Sequence, residues 1–179
     1  MKQITLGQRM QLWAESQLLG KLAPTNRPGW FLKWVFKIPI RLYLAGLGQL
    51  VGPHFLMITT TGRKSGLPRH TPLEFNICPE TGLPLVMSGW GDRSDWVRNL
   101  RADPRCIMWL GKDHSRVLAV QLSRESVADL IATYLTNAPA MQASFERLSG
   151  IKLDGTRASF LAMAPSFPCF RLQPDAAFE

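Results

Sequence analysis

Three cations, Arg63, Lys64 and Arg69, stand close together in the middle of the chain. Hydroxyls accompany them at Thr59, Thr60, Thr61 and Ser65. Gly62 and Gly66 bracket Arg63, Lys64 and Ser65, so a tight turn with positive φ and free amides is expected there. Guanidinium, ammonium, hydroxyl and amide donors gathered on one turn make a cradle for a phosphate-bearing ligand. A solvated surface hairpin with a basic tip accounts for the same residues, and residue chemistry alone does not choose between the two.

Two further segments carry chemistry, Ser88-Gly-Trp-Gly91 and Asp95-Trp-Val-Arg-Asn99. Glycines around Trp90 allow close backbone approach to a flat ligand. Trp96 offers an aromatic wall and Asn99 a bidentate amide, a combination suited to a planar, hydrogen-bonding heterocycle. Ordinary core filling is the competing reading for both tryptophans. Ser65, Ser88, Cys78, Cys106 and Cys169 have no histidine at a recognisable nucleophile–base spacing. Gly62-Arg-Lys-Ser-Gly66 is too short for a Walker loop and lies between strands rather than before a helix. Glu74, Asp92 and Asp95 do not form a paired-carboxylate motif. Catalytic side chains therefore stay unassigned, and any chemistry would be borne by a cofactor that the protein binds and orients.

The 179 residues suffice for one domain with a real core. Charged residues make up 19% of the chain, below the usual share of about 25%, so much surface is expected to be buried. The net charge of +8 favours anionic partners: nucleic acid, an anionic membrane or a polyanionic cofactor. Nucleic acid is disfavoured because no recognition helix, RNP-like motif or basic stripe on the strands accompanies the charge. Three widely spaced cysteines and three isolated histidines argue against a disulfide framework or a metal site. A cytoplasmic, reducing location is expected, and residues 1–11 lack the apolar core of a signal peptide.

The elements that must position these groups follow from local pattern. Residues 6–22 read as a helix, and 23–29 as a breaker-rich linker. Residues 30–51 are the most apolar run, interrupted by Lys33, Lys37 and Arg41 along one helix face, with Pro39 expected to kink or end the helix. That stripe beside aromatic bulk fits either a core-packing helix pair with snorkelling cations or peripheral contact with an anionic membrane, at its inner face. Strands are expected over 54–61, 68–78, 83–88, 106–110, 117–122 and 167–172, and helices after Ser94 and Ser123 and over 140–148 and 157–163. Consecutive hairpins point to an antiparallel barrel or sandwich.

At Thr59-Thr-Thr-Gly-Arg-Lys-Ser-Gly-Leu-Pro-Arg69, Pro72-Leu-Glu74, Ser88-Gly-Trp-Gly91 and the run from Asp95 to Pro104, the chain resembles the deazaflavin (F420)-dependent nitroreductase and quinone reductase family. The lead-in from Lys37 to Gly48 resembles a subgroup of it. The likeness spans roughly residues 37–174. It implies a split β-barrel, which with the local pattern gives a mainly β fold with α: a six-stranded antiparallel split β-barrel over 53–174 with inserted short helices, after an N-terminal helical segment over 1–52 and before a tail over 175–179.

The resemblance further implies reduced F420 as hydride donor, with FMN as the alternative cofactor, and a small hydrophobic acceptor such as a quinone, enone or nitroaromatic. It puts Arg63, Lys64, Ser65 and Arg69 on the phosphate and acidic tail. His70, Thr71, Pro72 and Leu73 would border the ring, Val86, Met87 and Ser88 would line the pocket, and Trp96, Val97 and Asn99 would close it. It also suggests pairing as a homodimer. Gly89 stands where members acting on nitroimidazoles or menaquinone often carry lysine, and neither Tyr43 nor Tyr134 matches the tyrosine some place near the substrate. A non-catalytic carrier of a flavin, haem or fatty acid on the same barrel is the alternative function.

Overall fold

The computed structural model describes residues 37–175. The expected helix at 6–22, the linker at 23–29 and the start of the apolar run lie outside them. Within the described residues, five α-helices accompany six β-strands in one closed antiparallel barrel.

β1 (Phe55–Thr61) has the β-branched run Ile58 to Thr61, which favours a pleated strand. It turns through Gly62–Leu67 into β2 (Pro68–Ile77), pairing Phe55 with Glu74 and Thr61 with Pro68. β3 (Pro84–Met87) follows a turn at Gly82, whose φ is +68°. β4 (Arg105–Leu110) and β5 (Asp113–Gln121) form a second hairpin, and β6 (Cys169–Pro174) closes the ring in the order β1-β2-β3-β6-β5-β4. β5 starts before the expected Val117, because residues 113–116 pair with β4 and carry the ladder up to the Gly111 turn.

The register decides which face each side chain takes, since successive residues alternate. Leu56, Ile58, Val86, Val117, Ala119, Phe170 and Leu172 fill the interior. Helix α2 (Asp95–Ala102) adds Trp96, Val97 and Leu100 to the same cluster. A second apolar cluster lies outside β3 and β6, where Leu85 and Cys169 meet α3 (Arg124–Asn137) and α5 (Arg157–Met163), with Phe145 of α4 (Gln142–Ser149) packed beside it. Ser123 caps α3 as expected, accepting from the Ser126 N–H at 3.1 Å. Thr156 caps α5 in the same way.

Helix α1 spans Lys37–Leu44 within the described residues and accommodates Pro39. The Tyr43 hydroxyl donates to the Phe55 carbonyl at 2.8 Å. Gly48 lies so close to the Gly111 carbonyl and the Tyr43 ring that any side chain there would collide with both. Residues 43–48 thus brace the start of β1 and the tip of the β4–β5 hairpin.

Candidate cofactor site

The basic turn is built differently from the sequence expectation. Gly66 has a positive φ of +67°, whereas Gly62 does not. Gly62 is needed for space: a Cβ there would meet Ser65 Oγ at 2.8 Å and the Leu67 carbonyl at 3.0 Å. The amides are largely spent within the turn. Gly62 N–H donates to the Leu67 carbonyl, Ser65 and Gly66 N–H donate to the Gly62 carbonyl, and Leu67 N–H donates to Ser65 Oγ.

Arg63 is committed to α2. Its Nη2 pairs with Asp95 Oδ1 at 2.9 Å, while its amide and Nη1 donate to Asn99 Oδ1 at 3.2 and 3.0 Å. Asn99 is 3% exposed, and its Nδ2 donates to the buried Thr60 hydroxyl at 3.2 Å. One buried amide thus pins the turn to the helix. The exposed Lys64 and Arg69 carry the turn's uncompensated charge; among the described residues neither has an acidic partner. Arg69 Nη2 donates to Ser65 Oγ at 3.2 Å, which holds the guanidinium over the turn.

Alternation along β2 divides the residues expected to border the ring. Thr71 and Leu73 pair with the inward Ile58 and Leu56, while His70 and Pro72 pair with the outward Thr59 and Met57. His70 and Pro72 therefore share the outer face, and Thr71 and Leu73 do not. Val86 is buried inside the barrel and Met87 packs against the outer apolar cluster. Ser88 is buried; its hydroxyl donates to the Gly91 carbonyl at 3.2 Å and lies 2.7 Å from Ser94 Oγ. Ser94 makes no side-chain cap on α2; its hydroxyl lies against Ser88 instead. Trp96 and Val97 sit in the barrel core, Trp96 edge-on to Phe170 at 5.7 Å. Trp90, by contrast, is 61% exposed.

The structure adds Trp109 and His114, which sequence reading passed over, to Thr59 and His70. Thr59 Oγ1 accepts from Trp109 Nε1 at 2.9 Å and lies 2.9 Å from His70 Nδ1. His114, which lies between the expected strands 106–110 and 117–122, is on β5 with its ring stacked on Trp109 at 4.5 Å. A cleft of about 340 Å³ opens beside this group, lined by Thr59, Thr61, Gly66 and Pro68 of the β1–β2 hairpin and by Arg105, Ile107 and Arg116 across from it. Asp103, also on its wall, pairs with Arg105 at 3.0 Å, and the guanidinium holds the Asp103 carboxyl below its ordinary range. Thr59 opposite His70 follows from the turn register alone; the Trp109 contact comes from β1–β4 pairing, which no local motif signals.

The cysteines are unsuited to covalent catalysis. Burial, with the Asp103 charge adding, pushes the Cys106 thiol up to about 12. Burial, with Cys78 adding, does the same for Cys169. Tyr43 is buried behind β1, which pushes its phenol up. Tyr134, on α3 beside the Phe145 ring, is pushed up by burial and then by the charge of Glu74. Among the described residues, no cluster of three His, Cys, Asp or Glu side chains could hold a metal ion.

An outer strand face with a basic turn at its edge is the setting in which the family comparison falls. The model of the F420H(2)-dependent quinone reductase family matches residues 44–151, and the chain belongs to that family. It is accordingly an oxidoreductase of the F420-dependent kind. Among similar solved structures is Atu2129, a protein of unknown function from Agrobacterium tumefaciens str. C58. It is 18% identical with a TM-score of 0.47; the match covers 86% of this chain but only 59% of that one. An F420-H2 dependent reductase, FDR-A, is 22% identical with a TM-score of 0.44, covering 67% of this chain and 94% of that one. HutZ, the heme storage protein from Vibrio cholerae, is 18% identical with a TM-score of 0.43, over 78% and 90% of the two chains.

Proposed function

We propose that the chain binds reduced F420 with its anionic tail on the Lys64–Arg69 turn, and reduces a conjugated acceptor such as a quinone, enone or nitroaromatic. The supporting observation is the charge left over at that turn: Arg63 is neutralised by Asp95, whereas Lys64 and Arg69 have no acidic partner among the described residues. A phosphate and an acidic tail are the groups such a turn suits. When bound, the deazaflavin supplies the hydride. The protein supplies position and electrostatics. Lys64 and Arg69 would hold the tail, with Ser65 fixing the Arg69 guanidinium. Arg63 and Asn99 would keep the turn in place from beneath. His70, Pro72 and Thr59 would offer one side of the outer face to the ring.

Quenching of tryptophan fluorescence by oxidised F420 tests the assignment. Lys64→Ala and Arg69→Ala should each weaken binding severalfold, with a loss that shrinks as salt is raised. No quenching of the wild type at micromolar coenzyme, or salt-independent binding unchanged in both variants, would overturn it.

A further inference from the structure

We propose that a hydrogen-bond relay on the outer barrel face holds His70 as its Nε2–H tautomer and so presents a fixed N–H donor to a carbonyl oxygen of the bound ligand. The relay begins at Trp109, whose indole nitrogen can only donate. Its Nε1–H is given to Thr59 Oγ1 at 2.9 Å. The Thr59 hydroxyl hydrogen then needs an acceptor, and among the described residues the one it meets is His70 Nδ1, also at 2.9 Å. An imidazole that accepts at Nδ1 carries its proton on Nε2. The reverse arrangement, with Nδ1–H donating to Thr59, leaves the hydroxyl hydrogen without a partner among the described residues.

Three features make this a built device rather than a chance contact. His114 stacks on Trp109 at 4.5 Å and steadies the indole that starts the relay. The strands carrying the relay are registered in the ladder, with Thr59 opposite both His70 and Ile107. His70 Nε2, the far end, has no protein partner among the described residues, and Thr59, at the middle of the relay, lines the cleft. The donor role toward the ligand rests on the cofactor reading above; the tautomer does not.

The first test is nuclear magnetic resonance of the ¹⁵N-labelled full chain at about pH 8.5, where an ordinary imidazole is neutral. Long-range proton–nitrogen correlations should place the His70 proton on Nε2 in the wild type and give a tautomer mixture in Thr59→Val. A proton on Nδ1 in the wild type, or an unchanged pure tautomer in Thr59→Val, overturns the relay. The second test uses oxidised F420 titration and menadione reduction. His70→Gln keeps an amide N–H near the Nε2 position, whereas His70→Asn moves it toward Nδ1 and His70→Leu removes it. Gln should stay within about threefold of wild type, while Asn and Leu lose about tenfold, the size of one hydrogen bond. Gln falling as far as Leu, or all three matching wild type, refutes the donor role. Failure of the cofactor reading looks different: the wild type itself binds no coenzyme, while the tautomer contrast with Thr59→Val persists.

Discussion

Asn99 is the residue whose removal should do most damage for its size. Its side chain makes three hydrogen bonds, to the Arg63 amide, the Arg63 guanidinium and the Thr60 hydroxyl, from a position 3% exposed. Neutral bonds of this kind contribute about 1 kcal/mol each and a bond to a charged group about 1.5–3 kcal/mol. Asn99→Ala should therefore destabilise the protein by about 3–5 kcal/mol, because the buried Thr60 hydroxyl and the Arg63 amide are left unpaired. Asp95→Ala is the internal control. It breaks an ion pair on the same guanidinium, but the carboxylate side is 80% exposed. Its cost should be at most about 1 kcal/mol. Urea unfolding with an unchanged slope measures both. In a background where Arg63 is already alanine, the cost of Asn99→Ala should shrink by about 1.5–3 kcal/mol, the guanidinium bond being gone. An Asn99→Ala cost within about 1 kcal/mol of zero, or no shrinkage in the Arg63→Ala background, would refute the pinning argument.

Other outcomes follow from the same geometry. All three cysteines are buried, and the thiols of Cys106 and Cys169 are held up to about 12, so iodoacetamide at about pH 8 should label none until the chain is unfolded; rapid native labelling of Cys106 would contradict the packing. Glu146 is held down to about 2, first by Gln142, then by Lys152 and the Leu153 amide. A depressed carboxyl stabilises fully above its ordinary value of 4.5 and loses that contribution as pH falls toward 2. Melting temperatures of wild type and Glu146→Gln should thus differ near neutrality and converge in acid; a constant gap would exclude this linkage. Leu44, Leu47 and Leu50 are exposed beside the exposed Arg41, an apolar and cationic grouping that can be tested against anionic lipid. Cosedimentation should be stronger with anionic than with zwitterionic vesicles and weaker in Leu47→Glu/Leu50→Glu; equal binding to both vesicle types would end the idea. Among the described residues no helix is long and apolar enough to cross a membrane.

Much of the β1–β2 hairpin is legible locally. A β-branched run, a glycine-bracketed turn and a short connection fix strand limits and register together, so Thr59 opposite His70 could be read from the chain. The six strands follow from the same kind of signal, but the start of β5 does not. Its first residues lack strand chemistry and are recruited by pairing with β4, which carries His114 onto Trp109. Side-chain commitments across distant segments are also invisible beforehand. Arg63, Ser88, Trp96 and Asn99 have the chemistry of ligand contacts, yet their donors, acceptors and surfaces are used inside the protein. Motif spacing reports what a side chain can do; only the packed partners show whether that capacity is still available. Ser123 and Ser94 make the contrast plain. Both precede helices, but only Ser123 caps with its hydroxyl; the Ser94 hydroxyl lies against the buried Ser88.

The strand order has a consequence for how the chain can be made. β6, the last strand, lies between β3 and β5, and both of its partners must wait for it. β3 stands with one edge unpaired until residues 169–174 have left the ribosome, and β5 does the same. During that interval two open strand edges face solvent or a chaperone, and the ring cannot protect them. A chain interrupted between Gln121 and Cys169 would be more than a shortened protein; it would carry two permanent templates for pairing with its neighbours.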